Sequence, residues 1–209
     1  LGVWLKKKTG WAILNPLLVA IIVVIAFLSV FHIEYKEYNR GAVYLGYFLT
    51  PATVCLAIPL YKQLELLRQH LIAVASAIVA GVAGSVGSIY VMCRFFQLEH
   101  THYVTLLPKS ITTAIGMGVS EEAGGIVTLT VISIIITGIL GNIIADWLFQ
   151  IFKIEEPIAK GLALGTAAHA IGTAKALELG EIEGAMSSLS IAVAGLLTVV
   201  VVPLMSGLI

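Results

Sequence analysis

The chain has 209 residues, and its 12 basic and 12 acidic side chains give no formal net charge at neutral pH. Hydrophobic residues make up 59% of the chain and charged residues only 11%, whereas a soluble domain usually carries about a quarter charged residues. This composition excludes an ordinary soluble domain and predicts a membrane protein, for which we expect the lipid bilayer, and no nucleic acid, as a partner.

The first predicted elements are a truncated helix and a short transmembrane helix. The opening residues LGVWL are followed at once by lysines at positions 6–8, which is typical of the end of a helix whose beginning is missing. Residues 15–31 are uncharged and lie between these lysines and the polar residues 32–40. We predict that residues 15–31 span the bilayer and that a further span precedes residue 1.

Three longer uncharged runs are the clearest transmembrane helices. They comprise residues 71–93, 124–145 and 184–209. Each approaches or exceeds the roughly twenty residues that a helix needs to cross about 30 Å of hydrocarbon. Together with the two earlier segments they predict about five spanning helices.

Three hydrophobic stretches between these runs are too interrupted for ordinary helices. Residues 41–60 contain two prolines, and residues 98–123 contain Pro108, Lys109, Glu121 and Glu122. Residues 155–183 contain Pro157, His169 and several charged side chains. Interrupted backbone at membrane depth is tolerated only where protein or a water-filled cavity satisfies its polar groups. We therefore predict that these stretches line a cavity.

The second and third interrupted stretches resemble each other at an offset of sixty residues. The matching residues of the first copy are Thr113, Ala114, Glu121, Gly124 and Leu129, and those of the second are Thr173, Ala174, Glu181, Gly184 and Leu189. Chance similarity among small residues of membrane helices is the alternative explanation. Internal repeats are nevertheless common in transporter folds.

Lysine and arginine positions favour re-entrant hairpins over full crossings for these two stretches. With hairpins, seven basic residues lie on one face and three on the other, the bias expected of a membrane protein. The first group is Lys6, Lys7, Lys8, Lys62, Arg68, Lys153 and Lys160, and the second is Lys36, Arg40 and Arg94. One crossing helix between the two copies makes the repeats inverted.

The predicted fold is therefore an all-α polytopic membrane protein with re-entrant helical hairpins and an inverted repeat like that of transporters. Residues 1–209 form a single transmembrane domain, with residues 1–96 as scaffold helices and residues 97–209 as paired hairpins that form a substrate site. The positive side, with the lysines at 6–8, is predicted to be cytoplasmic.

The hairpin tips are predicted near residues 108–113 and 167–173, where they form an anion site at the bilayer midplane. Helix N-termini with hydroxyl side chains attract anions, and lysines add positive charge. The predicted substrate-binding residues are Lys109, Ser110, Thr112, Thr113, His169, Gly172, Thr173 and Lys175. A site this small suits a small organic acid.

Three ionisable residues are candidates for coupling or gating. His169 could bind the substrate or carry a coupled proton, or it could simply bond a backbone carbonyl between helices. Glu121 could bind a cation or be solvated at a corner, and Glu178 could be a ligand or pair with Lys175 on its own helix. We expect no metal and no cofactor, and no motif for catalysis is convincing, so an enzyme is not expected. The small residues Gly81, Gly84, Ser85 and Gly87 predict close helix packing.

Three stretches of the chain resemble the LrgB/CidB family of bacterial membrane proteins. They are PKSITTAIGMGVSEEAGGI at 108–126, IAKGLALGTAAHAIGTAKALELGEIEGAMSSL at 158–189 and TPATVCLAIPLYK at 50–62. Residues that match the two signatures are Lys109, Ser110, Thr112, Thr113, Ser120, Gly124 and Gly125, and Lys160, Gly161, His169, Gly172, Thr173 and Glu178. The missing beginning of the chain is the main departure.

The resemblance implies one of two functions in the bacterial cell membrane. Family members are described as antiholin-like or holin-like proteins that modulate murein hydrolase activity and autolysis, usually with a smaller LrgA/CidA membrane partner. Related members are linked to pyruvate uptake, and a chloroplast relative exchanges glycolate and glycerate. We therefore expect transport of small monocarboxylates such as pyruvate, glycolate or lactate, with regulation of lysis through the partner as the alternative, and a homodimer.

Overall fold

The computed structural model describes residues 2–9, 16–48, 51, 54–55 and 57–209. All regular secondary structure in this part of the chain is helical, as predicted. The chain divides into two compact units, Leu1–Ile58 and Pro59–Ile209. The predicted division at residue 96 into scaffold and hairpin repeats stays a prediction.

The first unit contains α1 (Gly2–Thr9), α2 (Pro16–Val30) and α3 (Tyr35–Gly46). Helix α2 lies within the segment 15–31 and its 15 residues carry no charged side chain, but it is shorter than the candidate spans, so its crossing of the bilayer stays a prediction. Helix α1 packs closely on α2, because a Cβ atom at Gly2 would lie 2.8 Å from Pro16 Cα. Within the first interrupted stretch, residues 41–60, positions 49, 50, 52, 53 and 56 lie outside the described residues.

The second unit contains the candidate site and is described by eight helices. They are α4 (Ala57–Lys62), which begins just before the boundary, α5 (Leu64–Gln69), α6 (Leu71–Phe95), α7 (His100–Leu106), α8 (Thr113–Glu122), α9 (Val127–Ile151), α10 (Pro157–Leu179) and α11 (Glu181–Ser206). In the described part of the chain, only α6, α9 and α11 are long and apolar enough to cross a bilayer. They confirm the three predicted long spans, with ends shifted by a few residues.

Helices α7 and α8 form the first hairpin, with its tip at residues 107–112. Both arms reach the same level of α9, because Thr130 Oγ1 hydrogen bonds to the Thr105 carbonyl (2.9 Å) and to Ser120 Oγ (2.6 Å). The chain leaves the hairpin through Gly124, whose φ of +79° is readily adopted only by glycine. The hairpin is thus re-entrant and returns to the side from which it entered.

Helix α10 is the second hairpin, because its backbone reverses at Ala168 and His169. Both residues have non-helical dihedral angles, with φ +42° and ψ −137° at His169. A Cβ atom at Gly172 would overlap the Leu164 carbonyl oxygen, although eight residues of straight helix would separate these positions by about 12 Å. The two arms of α10 therefore lie side by side.

The two hairpins enter from opposite ends of α11, as the inverted repeat predicts. In the first hairpin, the Tyr103 hydroxyl donates to the Met205 carbonyl (3.0 Å), near the end of α11. In the second hairpin, a Cβ atom at Gly161 would overlap the Glu183 carbonyl oxygen, near the start of α11. The tips of the hairpins consequently point toward each other.

Close packing in the second unit depends on apolar side chains of α6 at helical spacing. Val74, Ile78, Val82, Val86 and Ile89 are all buried at intervals of three or four residues. They belong to one cluster with residues of the first hairpin and of α11. Since lipid is as apolar as these side chains, their tight contact, rather than escape from water, holds the helices together.

Candidate functional site

A cavity of about 620 Å³ lies where the two hairpin tips meet α6 and α9. Ser110 of the first tip and Thr166 beside the second tip reach α6 one helical turn apart. Ser110 Oγ lies 2.8 Å from Ser85 Oγ, and a Cβ atom at Gly81 would lie 2.9 Å from Thr166 Oγ1. Gly81 and Ser85 flank the middle of α6, so the cavity lies at mid-depth of this spanning helix.

The cavity wall combines one cation, a few hydroxyl groups and a large apolar surface. Lys109 is the only charged side chain among the described lining residues. These are Ala77, Gly81, Ser85, Lys109, Ser110, Thr137, Leu140, Gly141, Ile144, Ala159, Leu162, Ala163, Thr166 and Ala167. A cation with no acidic side chain among the described lining residues is a suitable counter-ion for a small anion.

Lys109 is held at the first tip by two serine hydroxyl groups. Its Nζ donates to Ser110 Oγ at 3.0 Å and to Ser85 Oγ at 3.4 Å. Ser110 is 7% exposed and Lys109 is half-buried, so the ammonium group has limited access to water. This arrangement brings together two predicted site residues, Lys109 and Ser110, with one that was not predicted, Ser85.

His169 lies at the second tip but is directed toward α9. Its side chain is 4% exposed, and Nε2–H donates to the Ile134 carbonyl at 2.9 Å. A Cβ atom at Gly138 would lie 2.7 Å from the imidazole ring, so this glycine makes room for the histidine. The geometry corresponds to the structural alternative raised by the sequence, and a role in substrate binding or coupling stays a prediction.

Gly172 and Thr173 support the second tip from within the hairpin. The Thr173 hydroxyl donates to the His169 carbonyl (3.1 Å) and lies 2.7 Å from Ser187 Oγ of α11. Gly172 lets the two arms approach, as described above. Both residues are buried, and neither is among the residues lining the cavity. Their assignment to the substrate stays a prediction.

Lys175 is paired with an acidic residue that the sequence analysis did not consider. Its Nζ lies 2.6 Å from Asp146 Oδ2 of α9, and the two side chains are 12% and 52% exposed. The ion pair joins the second arm of α10 to α9 on the side where that hairpin enters. Lys175 is not among the residues lining the cavity. Its predicted role in placing positive charge beside the substrate stays a prediction.

The remaining predicted residues lie at the edges of the first and second hairpins. Thr112 and Thr113 are half-buried where α8 begins, and neither lines the cavity. Glu121 and Glu178 are exposed near the ends of α8 and α10. The predicted roles of these four residues in binding, coupling or gating stay predictions.

Sequence reasoning missed Ser85, Thr137 and Thr166 as parts of the cavity wall. Ser85 was noted only as a small residue among glycines, a pattern that predicts helix packing. That packing is observed at Gly81, which receives Thr166, whereas a Cβ atom at Gly84 or Gly87 would meet no described atom within 4 Å. A polar residue one turn from a packing glycine is the signal that could have identified Ser85.

Comparisons with known proteins agree on one family. The model of the LrgB-like family matches residues 1–208. An antiholin-like protein LrgB from Bacillus mycoides (strain KBAB4) is 40% identical over 199 residues, which cover 95% of this chain and 86% of the relative. Proteins of the same name from Bacillus cereus (strain B4264) and Bacillus anthracis (strain CDC 684 / NRRL 3495) are 39% identical with the same coverage. No solved structure matches.

Proposed function

The chain belongs to the LrgB-like family, and from this premise we propose that it has an antiholin-like role in the bacterial cytoplasmic membrane, carried out by transport of small monocarboxylates. The antiholin-like role is supported by the names of its relatives. The transport activity is supported by the cavity between the hairpin tips. Pyruvate, glycolate and lactate are the substrates to be tested first.

The observation that carries the transport proposal is the isolated charge of Lys109 at mid-depth of α6. A charged side chain at the centre of a bilayer costs about 2.5–3.5 kcal/mol on insertion scales, so such residues generally have a functional role. The lining hydroxyl groups provide hydrogen bonds, and Leu140, Ile144 and Leu162 provide apolar contacts. One cation in an apolar wall favours a substrate with a single negative charge.

The opposed hairpins supply a way to move the substrate. In many secondary transporters the site lies at the interface of inverted repeats, and one repeat moves against the other around the site. Here the first hairpin contributes Lys109 and Ser110, and the second contributes Thr166 and Ala167. A tilt of either hairpin against α6 would open the cavity toward the side from which that hairpin enters.

The second candidate function is regulation of a holin-like pore without transport. It is favoured by the antiholin-like names of the relatives. In this case the protein acts by association with a small LrgA/CidA-like membrane protein, and effects on murein hydrolases follow indirectly. For both candidate functions we propose that the protein forms a homodimer and associates with the LrgA/CidA-like protein.

Reconstitution into liposomes separates the two candidates. Purified protein, with and without the LrgA/CidA-like protein, is tested for uptake of radiolabelled pyruvate, glycolate and lactate into vesicles. We expect saturable uptake of at least one of these anions in one of the two preparations. Absence of uptake in both, from vesicles that contain folded protein, would favour the regulatory candidate.

A further inference from the structure

Ser85 connects a spanning helix to the polar tip of the first hairpin. Its Oγ lies 2.8 Å from Ser110 Oγ, and Lys109 Nζ donates to both hydroxyl oxygens. All three side chains line the cavity. Lys109, Ser85 and Ser110 therefore form one hydrogen-bonded group, which we call the tip cluster.

The tip cluster has more hydrogen-bond donors than its own bonds use. A lysine ammonium group carries three N–H donors, and each serine carries one O–H donor. Within the described part of the chain, Lys109 uses two donors on the serine oxygens, and one serine uses its hydroxyl on the other. One charged N–H and one neutral O–H are left for a ligand in the cavity.

We propose that Ser85 determines specificity by completing a hydroxyl pair that recognises an oxygen atom on the carbon next to the carboxylate. Lys109 binds the carboxylate. The Ser110 hydroxyl donates to Ser85 Oγ, and the Ser85 hydroxyl donates to the neighbouring oxygen, so Ser85→Ala removes the donor from that position. The two serine oxygens lie 3.0 and 3.4 Å from Lys109 Nζ, so the N–H and O–H donors are farther apart than the two oxygens of one carboxylate. They therefore fit a carboxylate oxygen and a second oxygen on the neighbouring carbon. This inference rests on the proposed transport function.

The consequence is discrimination between substituted and unsubstituted acids of the same size. A 2-oxo or 2-hydroxy acid satisfies both spare donors, whereas an unsubstituted acid leaves the hydroxyl donor unpaired in a confined site. A polar site that is built to bond a substrate oxygen rejects an analogue without it. We therefore expect pyruvate to be preferred over propionate, and this preference to depend on Ser85.

The test compares pyruvate and propionate in the same liposomes. Uptake of labelled pyruvate and of labelled propionate is measured for the wild type, Ser85→Ala and Ser85→Thr. We expect Ser85→Ala to lower the pyruvate preference about tenfold, the effect of one lost hydrogen bond, while propionate uptake stays within about twofold of wild type. Ser85→Thr keeps the hydroxyl group and should keep the preference.

Ser88 provides a matched control on the same helix. It is exposed, and its hydroxyl donates to the Ser85 carbonyl at 2.7 Å, so Ser88→Ala should leave both uptake rates unchanged. Thermal unfolding in detergent verifies that each variant is folded, and Ser85→Cys replaces Ser85→Ala if the alanine variant is not.

Four results would overturn the inference. If Ser85→Ala lowers both uptake rates equally, Ser85 only anchors the first tip. If the wild type transports both acids equally well, or if Ser85→Thr loses the preference as Ser85→Ala does, the hydroxyl is not the determinant and transport itself still stands. Wild-type vesicles that move neither acid would remove the proposed function and this inference with it.

Discussion

At the scale of single residues, we expect Lys109 to determine whether the cavity binds anions. It supplies the charge of the wall, and a hydrogen bond to a charged group contributes about 1.5–3 kcal/mol. Lys109→Gln keeps a polar side chain of similar size but removes its charge. We expect pyruvate uptake by this variant to fall at least tenfold in the liposome assay.

Lys153 provides the control for Lys109. It is exposed in the turn after α9 and does not line the cavity between the tips, so Lys153→Gln should transport normally. Wild-type uptake by Lys109→Gln, at equal amounts of folded protein, would show that the anion path lies elsewhere.

His169 combines a strained backbone with a buried hydrogen bond. Their opposite effects on the stability of the folded protein can be measured separately. Its φ of +42° is unfavourable for any residue with a Cβ atom, while its bond to the Ile134 carbonyl favours the folded state. We expect His169→Ala to lower the midpoint of thermal unfolding by several degrees, and His169→Gly to recover part of this loss. A glycine variant less stable than the alanine variant would contradict the strain at this position.

The predicted coupling role of His169 needs a different measurement. If the imidazole carries a proton with the substrate, His169→Ala should lose the dependence of uptake on a pH gradient. Uptake by this variant equal to wild type at all pH values would reject the coupling role and leave His169 as a structural residue.

At the scale of elements, the opposed hairpins make a clear prediction of sidedness. Glu99 and Glu122 flank the first hairpin, Glu155 and Glu181 flank the second, and all four are exposed. In a background with Cys55 and Cys93 replaced, a membrane-impermeant maleimide added to intact cells should label Glu99→Cys and Glu122→Cys. Glu155→Cys and Glu181→Cys should react only after the membrane is opened.

If the two cysteines that flank one hairpin are labelled from opposite sides of the membrane, that hairpin is not re-entrant. If all four positions react in intact cells, the hairpins enter from one side and the inverted arrangement is wrong. Labelling of the second pair instead of the first would keep the hairpins and reverse only the orientation.

The hairpins were predictable because their interruptions are local in sequence. Pro108 and the glycines around His169 indicate broken helices, and the offset of sixty residues aligned the two tips with a repeat. The partners of the two lysines were not predictable, because Asp146 and Ser85 contact Lys175 and Lys109 from helices 29 and 24 residues away in the chain. Nothing in local spacing distinguishes an isolated lysine, such as Lys109, from a paired one, such as Lys175.

At the scale of the whole molecule, a substrate should stabilise the folded protein. A ligand that binds only the native state adds RT ln(1 + [L]/Kd) to the free energy of unfolding, about 2.7 kcal/mol at a hundredfold excess over Kd. We expect millimolar pyruvate to raise the thermal unfolding midpoint in detergent by a few degrees, and to have no effect on Lys109→Gln. An equal shift in both proteins would indicate a salt effect rather than binding at the cavity.

The distribution of basic residues in the second unit agrees with a single orientation. Arg68 precedes α6, and Lys153 and Lys160 lie near the entrance of the second hairpin, whereas Arg94 lies at the opposite end of α6. The positive-inside bias therefore predicts that the second hairpin enters from the cytoplasmic side and the first from the external side.

Lys109 and His169 occupy equivalent places in the two repeats, since they are sixty residues apart, yet one faces the cavity and the other is fastened to α9. A transporter whose two repeats were chemically alike would have equal rates of transport in the two directions. Here one half carries the lysine side chain of Lys109 at this place and the other half the imidazole of His169. Import and export are therefore expected to differ in rate under equal and opposite gradients, so that the molecule behaves as a rectifier.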